Sequence, residues 1–180
     1  GYIMLGVSLL SAAGLSAGII HIFNHALAKG ALFLAVAGLG MHFQGLTLGD
    51  LAGAAKRMPW TMAAFVLAAL SLIGIPGTAG FISKWLLISA ALAEGNLGIA
   101  VVAVVLGGSL MAVVYVWRVV EAAYFHSPRA GGPEGLREAP PMLLAVTWAA
   151  VLANIYFGLL PGLPIELSEA AAATLLQHLP

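Results

Sequence analysis

The chain has 180 residues, 62% of them hydrophobic and only 8% charged, with seven basic and seven acidic side chains and a mean hydropathy of +1.04. Soluble domains carry about 25% charged residues, so these few charges cannot clothe a water-facing surface, and the bilayer is the natural solvent. A net charge of zero gives no footing for nucleic acid or an acidic partner, and the lack of cysteine excludes disulfides, thiolate catalysis and cysteine metal sites.

Gly1 opens directly on "GYIMLGVSLL", with no initiator Met, no basic leader and no cleavage-site pattern. It reads as the end of a helix that starts upstream, so the chain is expected to be a piece of a longer protein. Apolar runs of about 20 residues cross a bilayer as helices. The first run, Tyr2 to Leu15, is short for that, whereas Ala17 to Met41 is long enough. A polar connection with Asp50, Lys56 and Arg57 follows, and Pro59 suits the first turn of a new helix. The third run, Trp60 to Ile73, meets "GIPGTAG" and resumes as "FISKWLLISAALAEG". Pro76 among Gly74, Gly77 and Gly80 cannot sit in an undisturbed helix. Residues 60–93 are therefore either two short crossings or one discontinuous helix, giving five or six spans in all. Lys56 and Arg57 before this region share a side with Arg118, Arg129 and Arg137 only if it counts as a single crossing. Leu97 to Phe125 is the longest helix, "HSPRAGGPEGLREAPP" a solvent loop and Met142 to Leu160 the last span. The tail, 161–180, carries Glu166 and Glu169 and can lie along the membrane surface. The expected fold is an all-α, polytopic transmembrane bundle over residues 1–180.

Into this apolar setting the stretch "HIFNHALAKGALF" places His21, His25 and Lys29 at intervals of four, with Asn24 beside them. Each interval turns a helix by about 40° beyond a full circle and rises about 6 Å. The result is a polar stripe that must face other helices or water rather than lipid. Bridging waters along it can pass protons, and histidine gains and loses a proton near neutrality. Hydrogen bonding between helices is the plainer reading. A zinc pair is a further one, although Ile22 stands where the metalloprotease motif needs Glu. Lys84 follows in the first turns after the break. Burial and the positive end of a helix dipole both disfavour a charge there, which suits a switchable proton carrier. Carbonyls and amides freed around residues 75–80 can hold water or a cation. The competing reading is that Pro76 merely turns the chain and Lys84 fills an interface.

"HIFNHALAKGALFLAVAG" resembles the His-x-x-x-His-Ala-x-x-Lys helix of the proton-translocating antiporter family, and "RMPWTMAAFVLAALSLIGIPGTAGFISKWLLI" its lysine-bearing broken helix. That family includes the large subunits of multisubunit sodium/proton antiporters and the antiporter-like subunits N, M and L of respiratory complex I. "YVWRVVEAAYF" and "LANIYFG" are most similar to the D subunits of those antiporters. The resemblance implies protonation sites at Lys29 and Lys84 with His21 and His25 lining the path, and support from Asn24, Pro76, Gly77 and Ser83. It implies that the chain holds the C-terminal part of such a subunit, in a bacterial or archaeal cell membrane. Its partners would be lipid, protons with or without sodium, and other membrane subunits of a hetero-oligomeric complex. No cofactor, metal or bond-making chemistry is expected within these residues. The expected mechanism links His21, His25 and Lys29 to Lys84 through water, protonation of one lysine lowering the proton affinity of the other. The alternatives are a proton-pumping membrane subunit of an NADH-quinone oxidoreductase or related hydrogenase, and a scaffold that transports nothing.

Overall fold

The computed structural model describes residues 1–42, 46–127 and 137–177. Arg129, His178 and most of the loop between the last two long apolar runs lie outside the described residues. Among the described residues every regular element is helical: α1 (Tyr2–Ser8), α2 (Ala12–Gly40), α3 (Ala54–Arg57), α4 (Pro59–Ile73), α5 (Ala79–Leu92), α6 (Asn96–Phe125), α7 (Pro141–Leu159) and α8 (Gly162–Gln177). Three of them, α2, α6 and α7, are long and apolar enough to cross a membrane, and α4 and α5 are shorter apolar helices. The chain forms a polytopic transmembrane bundle.

The boundary between α1 and α2 falls earlier than the apolar runs suggest. Leu10 adopts φ 51° and Ser11 caps α2, accepting a 3.2 Å bond from the Gly14 amide. Ser16, where the runs divide on paper, instead points across the bundle to Ser168 at 2.8 Å. α2 is the central helix and packs on α1, α4, α5, α7 and α8. Small residues make this possible: a methyl on Gly6 would lie 2.6 Å from the Gly14 carbonyl oxygen, so α1 and α2 touch backbone to backbone. Such close approach drives helix association in a medium without a hydrophobic effect between helices.

α4 and α5, of 15 and 14 residues, together match the 29 residues of α2. They follow it antiparallel. Gly38 lies near Thr61 on α4, Asn24 bonds Ala79 and His21 bonds Ser83 on α5. The pair is thus one interrupted crossing rather than two. Consistently, Glu138 reaches the start of α4 and sets Lys56, Arg57 and Arg137 at the same end of the bundle. Its carboxylate accepts from the Trp60 amide at 2.7 Å and from the Thr61 amide and hydroxyl at 3.3 and 2.7 Å. A carboxylate there complements both the free amides and the positive end of the helix. Glu138→Ala should lower stability by about 1 kcal/mol, read as a lower thermal midpoint in detergent, and an unchanged midpoint would count against the cap.

The tail forms α8, which buries Pro164, Ser168 and Ala172 at intervals of four and leaves Glu166 and Glu169 exposed. α7 ends where Gly158 abuts the backbone of Gly77 and Thr78, so α7 hands over to α8 at the level of the break between α4 and α5.

Candidate functional site

The interruption itself is made by two glycines and a proline. Gly74 closes α4 in the left-handed region (φ 94°), its amide and that of Ile75 both bonding the Leu70 carbonyl at 2.9 and 3.0 Å. Ile75-Pro76-Gly77-Thr78 then turns the chain: the Thr78 amide returns to the Ile75 carbonyl at 3.2 Å, and Gly77 has φ 89°. Proline second and glycine third is the sequence a type II turn requires. The Thr78 hydroxyl also donates to the Ile75 carbonyl, at 2.7 Å.

Backbone groups freed at such a break must find partners inside the protein, and here side chains provide them. The Ala79 amide donates to Asn154 Oδ1 of α7 at 3.3 Å, and the Gly80 amide to Ser71 Oγ of α4 at 3.0 Å. Asn24 Nδ2 donates to the Ala79 carbonyl at 2.7 Å. On the other side of the break, Lys84 Nζ donates to the Leu72 and Ile73 carbonyls at 2.9 and 2.7 Å and to Ser109 Oγ at 2.8 Å. Lys84 is only 7% exposed. Three acceptors match the three donors of an ammonium. The face of the Tyr2 ring lies 5.3 Å from the same nitrogen. Gly74 makes room for the stem, since a methyl there would lie 2.9 Å from Lys84 Cδ.

The electrostatic setting of Lys84 therefore differs from the one read in the sequence. Its Cα stands in the second turn of α5, but four methylenes carry the amine back across the break. There it meets the carbonyl end of α4, where a helix is negative. The cation held by the broken backbone is the lysine of the chain itself.

His21 is buried, its Nδ1 2.8 Å from Ser83 Oγ, and Ser83 in turn donates to the Gly80 carbonyl at 3.3 Å. The His25 ring stacks on that of His21 with centroids 5.6 Å apart. A cavity of about 70 Å³ lies between this pair and Lys84, lined also by Tyr2, Asn24, Ser71 and Gly80. Water occupies about 30 Å³ in the liquid, so there is room for about two molecules. Asn24 Oδ1, buried on the cavity wall, has no hydrogen-bond partner among the described residues. The structure thus gathers His21, Asn24, His25 and Lys84 around one small cavity, with Ser83 behind His21. Lys29 does not line it. Half-buried on α2, its nitrogen sits 5.7 Å from the centre of the Phe33 ring. Tyr2, Ser71, Ser109 and Asn154 are not among the site residues singled out in the sequence, although Ser71 and Asn154 lie inside stretches that carry the resemblance. A lone hydroxyl or amide in an apolar helix is the signal that marks Ser109 and Asn154.

Residues 1–111 match the family described as "NADH:quinone oxidoreductase/Mrp antiporter, TM", well over half of the chain. The chain belongs to this transmembrane family. NADH-quinone oxidoreductase subunit N of Desulforudis audaxviator is 41% identical over 141 residues, covering 78% of this chain and 28% of that protein. The D subunit of the Na(+)/H(+) antiporter of Alkalihalophilus pseudofirmus is 38% identical over 108 residues, covering 59% of this chain and 22% of the other. Among solved structures, a chain of the Mrp complex from Dietzia sp. DQ12-45-1b superposes with a TM-score of 0.85 at 30% identity, over 96% of this chain and 40% of its own. The chain therefore spans well under half the length of these NADH:quinone oxidoreductase/Mrp antiporter relatives. The helix carrying His21, His25 and Lys29 and the interrupted crossing with Lys84 both fall inside the matched residues.

Proposed function

We propose that the chain is part of a membrane subunit that moves protons across the bilayer, alone or in exchange for sodium, within a multisubunit cation/proton antiporter. The observation that carries this reading is the buried Lys84 amine at a helix interruption, sharing a cavity of about 70 Å³ with His21 and His25. A charge buried inside a transmembrane bundle is costly and marks an ion path by default. The family and the fit to a chain of the Mrp complex support it. Protons step between the histidines and Lys84 through water in the cavity. Lys29 continues the path along α2, its amine two helical steps from His21, toward the half-buried flank near Phe33. Partners are other membrane subunits of the same complex.

The 41% identity to a quinone oxidoreductase subunit favours a second reading, in which the same path is driven by quinone reduction elsewhere in a respiratory complex. The test is proton movement in vesicles holding the full assembled complex. An imposed sodium gradient drives an antiporter, and an electron-transport poison leaves it running, whereas a respiratory pump stops with the poison. In either assembly Lys29→Ala is expected to reduce transport at least tenfold, a loss of about 1.4 kcal/mol at the barrier or more. Full activity without this amine would remove Lys29 from the path.

A further inference from the structure

We propose that Ser109 is a positioning residue that lets Lys84 give up its proton without releasing the end of α4. The inference rests on the reading of Lys84 as a proton carrier and adds the group that makes its two protonation states equally well bonded.

In the structure the amine uses three donors on three acceptors, the Leu72 and Ile73 carbonyls and the Ser109 hydroxyl oxygen. The two carbonyls can only accept. A neutral amine has two N–H bonds and one lone pair, so one of its three neighbours must turn from acceptor to donor. Only a hydroxyl can do both. Lys84 first turns the N–H held by Ser109 toward a water in the cavity it shares with His21 and gives that proton up, while its other two N–H bonds stay on Leu72 and Ile73. The Ser109 O–H then turns through its torsion and donates into the lone pair at the same 2.8 Å separation. Serine keeps its own hydrogen throughout, and the net change is one proton moved from nitrogen to water.

A second observation shows why this hydroxyl is at liberty to turn. Serine inside a helix habitually bonds the carbonyl four residues back, which for Ser109 is that of Val105. That oxygen is taken by the Tyr2 hydroxyl at 3.2 Å, and Gly108 is the residue whose missing side chain admits the tyrosine. Tyr2 thus blocks the bond that would draw Ser109 away from the amine. The titratable groups facing Lys84 are Tyr2 from α1 and His21 and His25 from α2. α4 presents Ser71 and its terminal carbonyls, and α6 presents Ser109.

The decisive pair is Ser109→Val and Ser109→Thr, matched in shape and differing in the hydroxyl. Each is assayed in the full-length subunit within its assembled complex, in liposomes, by proton movement in H2O and D2O. Ser109→Val should slow transport about tenfold and show a larger slowing in D2O than the parent, because proton exchange at Lys84 becomes the limiting step. Ser109→Thr should restore both the rate and the parent isotope ratio. Equal losses in the two variants, or a slow Ser109→Val with the parent isotope ratio, would show that the site needs only packing and overturn the proposal. So would a valine variant at the parent rate. Should valine prevent assembly, Ser109→Ala, the smaller change, takes its place with the same expectations. Lys84→Ala run beside them separates the two levels: normal transport there defeats the carrier reading itself, whereas an inactive Lys84→Ala with an unimpaired valine variant defeats only the role of Ser109.

Discussion

Lys84→Ala is expected to abolish proton movement by the assembled complex and to weaken the fold at the same time. The two losses have different origins. Transport fails because the group that gains and loses the proton is gone. Stability falls because the Leu72 and Ile73 carbonyls lose their donor inside the bundle, and each buried group left unpaired costs about 1–3 kcal/mol. Lys84→Arg divides these effects. A guanidinium still donates to carbonyls but keeps its charge at any pH in question, so the arginine variant should assemble better than the alanine variant and transport no better. Dye-reported proton flux gives the first quantity and the thermal midpoint in detergent the second. An arginine variant with parental flux would show that a fixed charge suffices, and the proton-carrier reading would fall.

Gly80 should prove one of the most sensitive small residues among those described. A methyl built there overlaps the carbonyl of Ser71, and the Ser71 hydroxyl oxygen lies at 2.9 Å. Both obstacles belong to the cap that starts α5, and one of them is backbone, which cannot swing aside. Overpacking a tight site costs about 1–3 kcal/mol and more where nothing yields, so Gly80→Ala is placed at the upper end of that range or beyond it. The matched control is Gly30→Ala on α2, where the added methyl meets nothing within 4 Å. Alanine is the better helix former by about 1 kcal/mol, and this variant should be neutral or stabilised. Membrane levels of the two proteins and their midpoints in detergent make the comparison. Equal behaviour would mean that α4 and α5 can slide apart at the break.

The break between α4 and α5, though not the number of crossings, was legible in the sequence because its chemistry is local. Proline removes an amide and fixes one torsion, glycine supplies the positive φ, and Pro59 announces a first turn, so both ends of α4 and the start of the turn could be placed residue by residue. The boundary after α1 was not legible in the same way. Ser11 and Ser16 are equally good caps on paper, and only the partner of each, the Gly14 amide for one and Ser168 for the other, tells them apart. The polar stripe was half legible. Steps of about 40° keep His21 and His25 beside the cavity but carry Lys29 about 80° from His21, enough to bring it onto Phe33 instead. What the sequence could not disclose was reach. Chain position put Lys84 near the amide end of α5, whereas the flexible stem delivered its nitrogen to the carbonyls of the preceding helix. The groups around it, Tyr2, Ser71 and Ser109, come from three different helices, and no spacing along the chain brings them together.

Glu138 at one tip of α4 and Lys84 at the other make that helix a strut about 22 Å long pinned by an anion at its head and a cation at its foot. Losing either side chain would therefore release one end of this helix while the other stays held.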